Sequence, residues 1–491
     1  MNKNFVGILF GILYSFSAAV FAAVPGTLDT TFNLTGIQAG TESTTISNST
    51  SNSNGQAVAI QADGNIVVAG IIGGSPGDFG VARFLANGGL DTTFNGSGAQ
   101  PGTIKFAIGS SALSQAQAVA MQADGKIVVA GTEFSGLFVP SFAVARLDTN
   151  GTLDSGFNSG GTQSVSFGSG SSLARAVAVQ SDGKIVLAGV GAAGFAVARL
   201  NTNGTLDTTT FNSGGTEPGT NSTTVDGMTN DGCRSIAIQT DGKIVVAGFA
   251  GDGSTIGKFG VARFNTDGTL DPTFNAGGTL PGTNSTSVEN STAFGNSANA
   301  VAIQSNGKIV LGGVVAVSGV NKFGLAQFNT NGTLDTTFNA GSVTQPGTVS
   351  TTIQNSTSAS GASVAIQENG KIIIAGSATV SGVSNFGIAR FLANGTLDTT
   401  FNPDSLIQPG TNATLIDNTN GSANGNSVGL QSDGQIVMAG EVLFSGGSPA
   451  NKFAVARFNG GEASPVPPVV TTTTTTDPFA LRLIQKYGPR L

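Results

Sequence analysis

The chain has 491 residues, a formal net charge of −7 and only 10% charged residues; it contains one cysteine and neither histidine nor tryptophan. The lack of histidine excludes a Ser-His-Asp triad and any zinc or iron site with histidine ligands. The single cysteine excludes an intramolecular disulfide, and the mild acidity without a basic cluster argues against a nucleic-acid partner.

The first 22 residues are typical of a secretory signal peptide. Lys3 gives a positive start, Phe5 to Val20 is an apolar stretch, and Ala22 is the small residue expected at the cleavage site. An uncleaved anchor is the alternative, although the apolar stretch is short for a bilayer span. We therefore expect a mature chain without a membrane span that is secreted or held in the cell envelope, in the periplasm or at the surface.

A motif such as Ala118 to Gly131 recurs seven times and marks an internal repeat. It combines an apolar run, a Gln-x-Asp-Gly or Gln-x-Asn-Gly turn and a second β-branched run. The turn glycines recur about every 60 residues, as in an array of one supersecondary unit. They are Gly64, Gly125, Gly183, Gly242, Gly307, Gly370 and Gly434.

Each repeat contains sequence for four short strands. The two runs beside the turn predict a hairpin, with the Asp-Gly or Asn-Gly pair in the positive-φ conformations of a tight primed turn. A run such as Phe79 to Phe84 predicts the third strand, Leu-Asp-Thr-Thr-Phe-Asn predicts a corner, and Thr103 to Ile108 predicts the fourth strand.

Four antiparallel strands in each of seven repeats predict an all-β fold, a seven-bladed β-propeller over residues 23–461. The seventh repeat ends after Phe453 to Phe458, and its missing Leu-Asp-Thr-Thr-Phe stands at Leu28 to Phe32. We expect this N-terminal segment, followed by a strand at Ser43 to Ser47, to complete the last blade and close the ring. The alternative, an open β-solenoid, usually has shorter repeats and terminal caps.

The motif Gln-x-Asp-Gly-Lys-Ile-Val-Val-Ala-Gly, followed by Phe-x-x-Ala-Arg, resembles the bacterial delta-60 repeat family over roughly residues 25–460. The resemblance implies a β-propeller in a secreted or surface protein. It implies no defined activity and no catalytic residues.

The composition changes after Gly461. Residues 462–477 are rich in proline and threonine and predict an extended linker. In the tail, residues 478–491, Pro478 to Tyr487 predicts a short helix with one apolar face. Such a tail suggests docking to a partner or sorting. A disordered end is the alternative, because an isolated short helix is marginal in water.

Repeated charged residues are expected to serve the fold. The third-strand arginine and the aspartate eight residues later predict an ion pair in each blade, with Asp29 serving Arg457 and Gln327 interrupting the series. Turns such as Asp148 to Asp154 cluster oxygens without the ligand spacing of an EF-hand, so calcium is a minor alternative and no other metal or cofactor is expected. Cys233 is expected to be a buried apolar filler, with a reactive thiol as the alternative.

Positions that differ between blades are better candidates for a ligand site, because a ring of similar blades has a unique site only where they differ. The residues expected just before each innermost strand, near one mouth of the channel, are Gln56, Gln117, Arg175, Arg234, Asn299, Ala362 and Asn426. Arg175 and Arg234 fall on adjacent blades and suggest paired contacts with a small anionic or polar ligand, such as a carboxylate or an acidic sugar. The alternative is that these are solvated loop residues.

These features favour an exported, non-catalytic binding or protein-interaction scaffold whose partner is an unidentified protein or glycan. No residue is predicted to be catalytic. Two alternatives stay open. One is an envelope hydrolase or lyase that acts on a polysaccharide or lactone without histidine. The other is a structural surface or adhesin component anchored by the C-terminal tail.

Overall fold

The computed structural model describes residues 23–73, 77–109, 113–135, 139–167, 172–191, 193–228, 230–251, 257–293, 295–417, 421–444 and 451–461. These residues form seven four-stranded antiparallel sheets, which confirms the seven-bladed propeller. The predicted signal peptide, linker and tail lie outside the described residues. Within the described ranges, no helix is long and apolar enough to cross a membrane.

Six blades are continuous in sequence. Blade 1 consists of β2 (Ser53–Ile60), β3 (Ile66–Ile72), β4 (Asp78–Phe84) and β5 (Thr103–Phe106). Blade 2 consists of β6 (Ser114–Met121), β7 (Ile127–Ser135), β8 (Val139–Leu147) and β9 (Thr162–Val165). Blade 3 consists of β10 (Leu173–Val179), β11 (Ile185–Gly191), β12 (Gly194–Leu200) and β13 (Thr220–Thr223). Blade 4 consists of β14 (Asn230–Ile238), β15 (Ile244–Gly251), β16 (Gly257–Phe264) and β17 (Thr283–Thr286). Blade 5 consists of β18 (Ser297–Ile303), β19 (Ile309–Val317), β20 (Val320–Phe328) and β21 (Thr348–Thr351). Blade 6 consists of β22 (Ser358–Ile366), β23 (Ile372–Val380), β24 (Val383–Phe391) and β25 (Thr411–Thr414).

Blade 7 contains both ends of the ring: β26 (Ala423–Leu430), β27 (Ile436–Leu443) and β28 (Asn451–Phe458), with β1 (Thr41–Thr44) as its outer strand. β1 pairs antiparallel with β28, Thr41 opposite Ala456 and Thr44 opposite Phe453. The strand therefore begins two residues before the predicted Ser43. Leu28 also bridges Phe458, as Leu90 bridges Phe84 in blade 1.

The hydrophobic core is divided into seven clusters, each shared by two neighbouring blades. The second and third strands are buried nearly throughout, as β-branched runs covered on both faces should be. One cluster joins blade 7 to blade 1 through Phe453, Val455, Ile66 and Phe84. The sequence of clusters is thus cyclic, and no blade lacks a neighbour on either side.

The hairpin turn differs from the predicted one. In blade 1, Gly64 has φ +83°, but Asp63 is not among the residues with positive φ, so the turn is not the two-residue primed type. Gln61 instead exchanges backbone bonds with Gly64 and Asn65, as in a type I turn followed by a left-handed glycine. The aspartate is selected because its Oδ1 accepts the Asn65 N–H at 3.0 Å.

Candidate functional site at the inner-strand bulges

The repeated arginine fastens each blade to the next. In blade 2, Arg146 Nε donates to Asp154 Oδ2 at 2.7 Å, and Nη1 donates to the Thr202 carbonyl of blade 3 at 2.6 Å. The predicted ion pair is present in six blades, with nitrogen–oxygen distances of 2.7–3.0 Å. Its members are Arg83–Asp91, Arg146–Asp154, Arg199–Asp207, Arg263–Asp271, Arg390–Asp398 and Arg457–Asp29.

The sequence analysis missed a third member of this cluster, the lysine that follows the turn glycine. Lys243 Nζ lies 2.8 Å from Asp271 Oδ2, and the same contact recurs in four other blades. Burial opposes ionisation of Asp271, but Lys243, Thr273 and Arg263 outweigh it and lower its pKa to about 2. The signal was in the sequence, since the lysine recurs with the turn.

The corner phenylalanine completes the contact between blades. The Arg146 guanidinium lies 4.7 Å from the Phe157 ring centroid, within the range of a cation–π contact. Gly151 of blade 2 packs on Phe94 of blade 1, where an added Cβ would lie 2.7 Å from the ring; its φ of +88° also favours glycine. The repeated motif is therefore explained by packing between blades.

Blade 5 is the exception that the sequence predicted. Gln327 replaces the arginine, is 2% exposed, and donates to Gln304 Oε1 at 2.8 Å. Asp335 keeps its ion pair with Lys308, at 2.5 Å, and accepts hydrogen bonds from the Thr337 N–H and hydroxyl.

The oxygen-rich turns are engaged within their own loops. Asn150 Oδ1 accepts bonds from the Thr152 N–H and hydroxyl, and Asp148 lies 3.2 Å from Lys126. Among the described residues, no group of three or more histidine, cysteine, aspartate or glutamate side chains could hold a metal. Calcium binding stays a minor prediction.

The seven variable positions lie inside the innermost strands, not before them as the sequence suggested. Each occupies a β-bulge, the one point where two residues of the inner strand face one of the second strand. In blade 3, for example, Ala174 faces Gly189 and Ala176 faces Ala188, with Arg175 between them. Since the inner strands neighbour one another in a cycle around the axis, these positions form one ring, which we call the bulge ring.

Two members of the bulge ring bind the next blade. Asn299 Nδ2 donates to the Gly361 carbonyl, and Asn426 Nδ2 to the Gly55 carbonyl, each at 2.7 Å. Where Ala362 cannot make this bond, the neighbouring Ser377 hydroxyl donates to Gly425 at 3.4 Å. The two amides therefore stabilise the contacts of blades 5–6 and 7–1, and the Ser377 hydroxyl stabilises that of blades 6–7.

The other four members, Gln56, Gln117, Arg175 and Arg234, follow one another on blades 1 to 4. Within the described part of the chain, none of their side chains makes a hydrogen bond or an ion pair. They are half-buried, apart from the more exposed Arg234. Four of the six predicted site residues thus lie in the bulge ring with free hydrogen-bond donors. The other two, Asn299 and Asn426, are hydrogen-bonded to the next blade.

The two guanidiniums are close enough to repel each other. Burial lowers the pKa of Arg175. Partial burial of the more exposed Arg234, followed by repulsion from Arg175, lowers the pKa of Arg234 as well. The Arg234 guanidinium lies 5.6 Å from the Phe249 ring centroid, a contact that the sequence did not predict. All six other arginines among the described residues have an aspartate partner. Arg175 and Arg234 are therefore the only two arginines of the described residues that lack a carboxylate partner.

Cys233 precedes Arg234 in the same strand and is fully buried. Burial raises the pKa of its thiol to about 12, so the thiolate is scarce at neutral pH. The thiol packs as the predicted apolar filler.

Six segments match a domain of unknown function (DUF5122) beta-propeller: residues 61–94, 122–157, 180–209, 239–274, 304–338 and 367–401. The chain therefore carries β-propeller repeats of this kind. Every bulge-ring residue lies outside the matched segments. No curated protein matches the chain.

Three solved structures illustrate the similarity in fold. Virginiamycin B lyase from Staphylococcus aureus is 8% identical with a TM-score of 0.45, covering 85% of this chain and 98% of that chain. Sqt1 from Chaetomium thermophilum is 13% identical with a TM-score of 0.42, covering 86% and 98%. An ulvan lyase is 10% identical with a TM-score of 0.45, covering 90% and 96%. At these identities the similarity concerns the fold alone.

Proposed function

We propose that the protein is an exported, non-catalytic scaffold that binds a small anion, a carboxylate or an acidic sugar, at Arg175 and Arg234. The observation that carries the proposal is the pair of unpaired guanidiniums on adjacent blades. A bound carboxylate would relieve their repulsion and accept charge-assisted hydrogen bonds. Gln56 and Gln117 offer donors and acceptors for hydroxyl groups on the same ligand.

The test is a binding screen by calorimetry with uronic acids, their neutral sugar counterparts, small dicarboxylates and inorganic phosphate. Acidic ligands are expected to bind and neutral counterparts to fail. The informative variant is Arg175→Asn/Arg234→Asn, because asparagine occupies the same bulge in blades 5 and 7. We expect at least about a 100-fold loss of affinity, since each charged hydrogen bond contributes about 1.5–3 kcal/mol.

The matched control is Lys105→Gln/Lys322→Gln. It also removes two positive charges, but at positions that lie outside the bulge ring. Equal weakening by the control and the arginine variant would show a general charge effect and contradict the site. Unchanged binding in the arginine variant would do the same.

The same screen separates the alternatives. Release of product from a polysaccharide or lactone would favour an envelope lyase or hydrolase. Retention on cells that is lost when residues 462–491 are deleted would favour an anchored surface component.

We also infer that the repeats are of the delta-60 type and that residues 1–22 are removed on export. The recurrent motif and the apolar segment from Phe5 to Val20 support these inferences. N-terminal sequencing of the periplasmic and culture fractions is expected to begin at Ala23. An intact N terminus in membranes would instead indicate an uncleaved anchor.

A further inference from the structure

Blade 6 departs from the other blades at its outer edge. Ala413 of β25 stands where five blades have serine and blade 1 has Lys105. Leu415, just after the strand, stands where the other blades have threonine, serine or alanine. The preceding loop adds Leu406, which is fully exposed, and Ile407, which is 55% exposed. At the positions of Ala413 and Leu415, blade 6 is therefore more apolar than every other blade.

Three of these side chains, those of Ile407, Ala413 and Leu415, line a groove of about 320 Å³. Its apolar lining consists of Val380, Val383, Ile407, Ala413 and Leu415, and we call it the blade-6 groove. The outer edge of β25 has no neighbouring strand among the described residues. Exposed apolar grooves beside a free strand edge are typical sites of peptide docking.

The chain leaves the ring beside this groove. Gly461, the last described residue, packs so closely against Pro25 that an added Cβ would clash with the proline ring. The Pro25 carbonyl accepts the Asn402 N–H at 2.5 Å, and Asn402 opens the loop that carries Leu406 and Ile407. The chain after Gly461 therefore starts next to the loop of blade 6 that carries Ile407, a residue of the blade-6 groove.

The sequence after Gly461 contains a matching apolar segment. Residues 462–477 can span at most about 55 Å, enough to cross a blade. Phe479, Leu481, Leu483 and Ile484 then follow in ten residues that also carry Arg482 and Lys486. Their positive charge complements Asp404, which is exposed two residues before Leu406.

We propose that residues 478–487 of the same chain bind the blade-6 groove and cover its apolar edge. The inference is independent of the anion site, because it concerns another face of the ring and other residues. It assigns the tail an intramolecular partner.

Tyr487 provides a direct test. The chain has no tryptophan and only two tyrosines, so Tyr14→Phe leaves Tyr487 as the sole tyrosine. In the full chain with this change, tyrosine anisotropy decay is expected to show rotation with the whole ring. The triple change Ile407→Thr/Ala413→Ser/Leu415→Thr introduces residues that other blades tolerate and is expected to lower the steady-state anisotropy at least about twofold. Phe479→Ser/Leu483→Ser should have the same effect and leaves the ring unaltered.

The matched control is Val343→Thr, which removes a fully exposed apolar side chain from the equivalent loop of blade 5; it should leave the anisotropy unchanged. Rapid local motion of Tyr487 in the starting protein, or no response to either multiple variant, would overturn the proposal. A signal lost on 100-fold dilution would identify a second copy as the occupant. That result would contradict the intramolecular assignment.

Discussion

Restoring the missing arginine of blade 5, by Gln327→Arg, is expected to stabilise the ring. The site is already shaped for it: Asp335 is 2% exposed, and Phe338 occupies the corner position on which the other arginines stack. The acceptor in the next blade would be the Ala393 carbonyl, by equivalence with the Thr330 carbonyl that Arg263 contacts at 2.6 Å.

The expected gain in the free energy of unfolding is small, because the new contacts are largely offset by the cost of burying the guanidinium. Two hydrogen bonds from a charged donor contribute about 1.5–3 kcal/mol each, and the cation–π contact adds about 1 kcal/mol. Against them stand the desolvation of the guanidinium, several kcal/mol, and the loss of the Gln327–Gln304 bond, about 1 kcal/mol. Asp335 is already buried and paired with Lys308, so its own desolvation is not added. We expect a net gain of about 1 kcal/mol.

The opposite change in the adjacent blade, Arg263→Gln, is the matched comparison. It leaves the Thr330 carbonyl without its donor and Asp271 with Lys243 as its one remaining ion-pair partner, so we expect a loss of about 2–3 kcal/mol in the free energy of unfolding. Both variants are compared with the starting protein by calorimetry and urea unfolding under identical conditions, since a large repeat array need not unfold in two states. A lower melting temperature for Gln327→Arg together with an unchanged one for Arg263→Gln would refute this account of the repeat.

Three further predictions concern other residues. Burial raises the pKa of Asp231 to about 6, so its ionised form destabilises the fold. The free energy of unfolding should therefore rise as the pH falls through 6 towards 4. In urea titrations, Asp231→Asn should add about 2 kcal/mol to the free energy of unfolding at pH 8 and nothing at pH 4. Cys233 should resist a thiol reagent at pH 8 until the protein is denatured; labelling of the native protein would contradict its burial. Deleting residues 23–47 removes β1 and exposes the edge of β28, so we expect aggregation by light scattering, whereas a monomeric, equally stable product would contradict ring closure.

The sequence was sufficient for the architecture because the repeat carries redundant information. Seven copies of one pattern specify four strands each, and the Leu-Asp-Thr-Thr-Phe at Leu28 to Phe32 identifies the piece that blade 7 lacks. The ion pair between Arg146 and Asp154 was also predictable, since its two members recur at a fixed separation. The hydrogen bond from Arg146 to the next blade could not be predicted, because its acceptor is a backbone carbonyl, which any residue type provides.

The turn and the bulge show where local patterns mislead. Asp-Gly is compatible with both the primed turn and the type I turn with a left-handed glycine, and the Asx bond from Asp63 accompanies the latter here. The inner strand was predicted too short because the residue at the bulge interrupts the alternation of small and apolar residues. Residues such as Gln56 and Arg175 therefore looked like loop residues that precede a strand.

If the bulge ring binds an anion as proposed, binding and stability oppose each other at this ring. Asn299 and Asn426 close the contact to the next blade, and Ser377 closes it where Ala362 cannot. A donor at this place thus stabilises a blade interface, yet Arg175 and Arg234 are unpaired and repel each other. By equivalence with Asn299, Arg175→Asn would place an amide within reach of the Cys233 carbonyl.

The double variant Arg175→Asn/Arg234→Asn should therefore be more stable than the starting protein. We expect its free energy of unfolding to rise by roughly 1 kcal/mol for each hydrogen bond gained to the next blade, while its affinity for the proposed anion falls. Stability that is given up at one pair of residues is typical of a binding site. A variant that loses both stability and ligand would instead show that the arginines serve the blade interface.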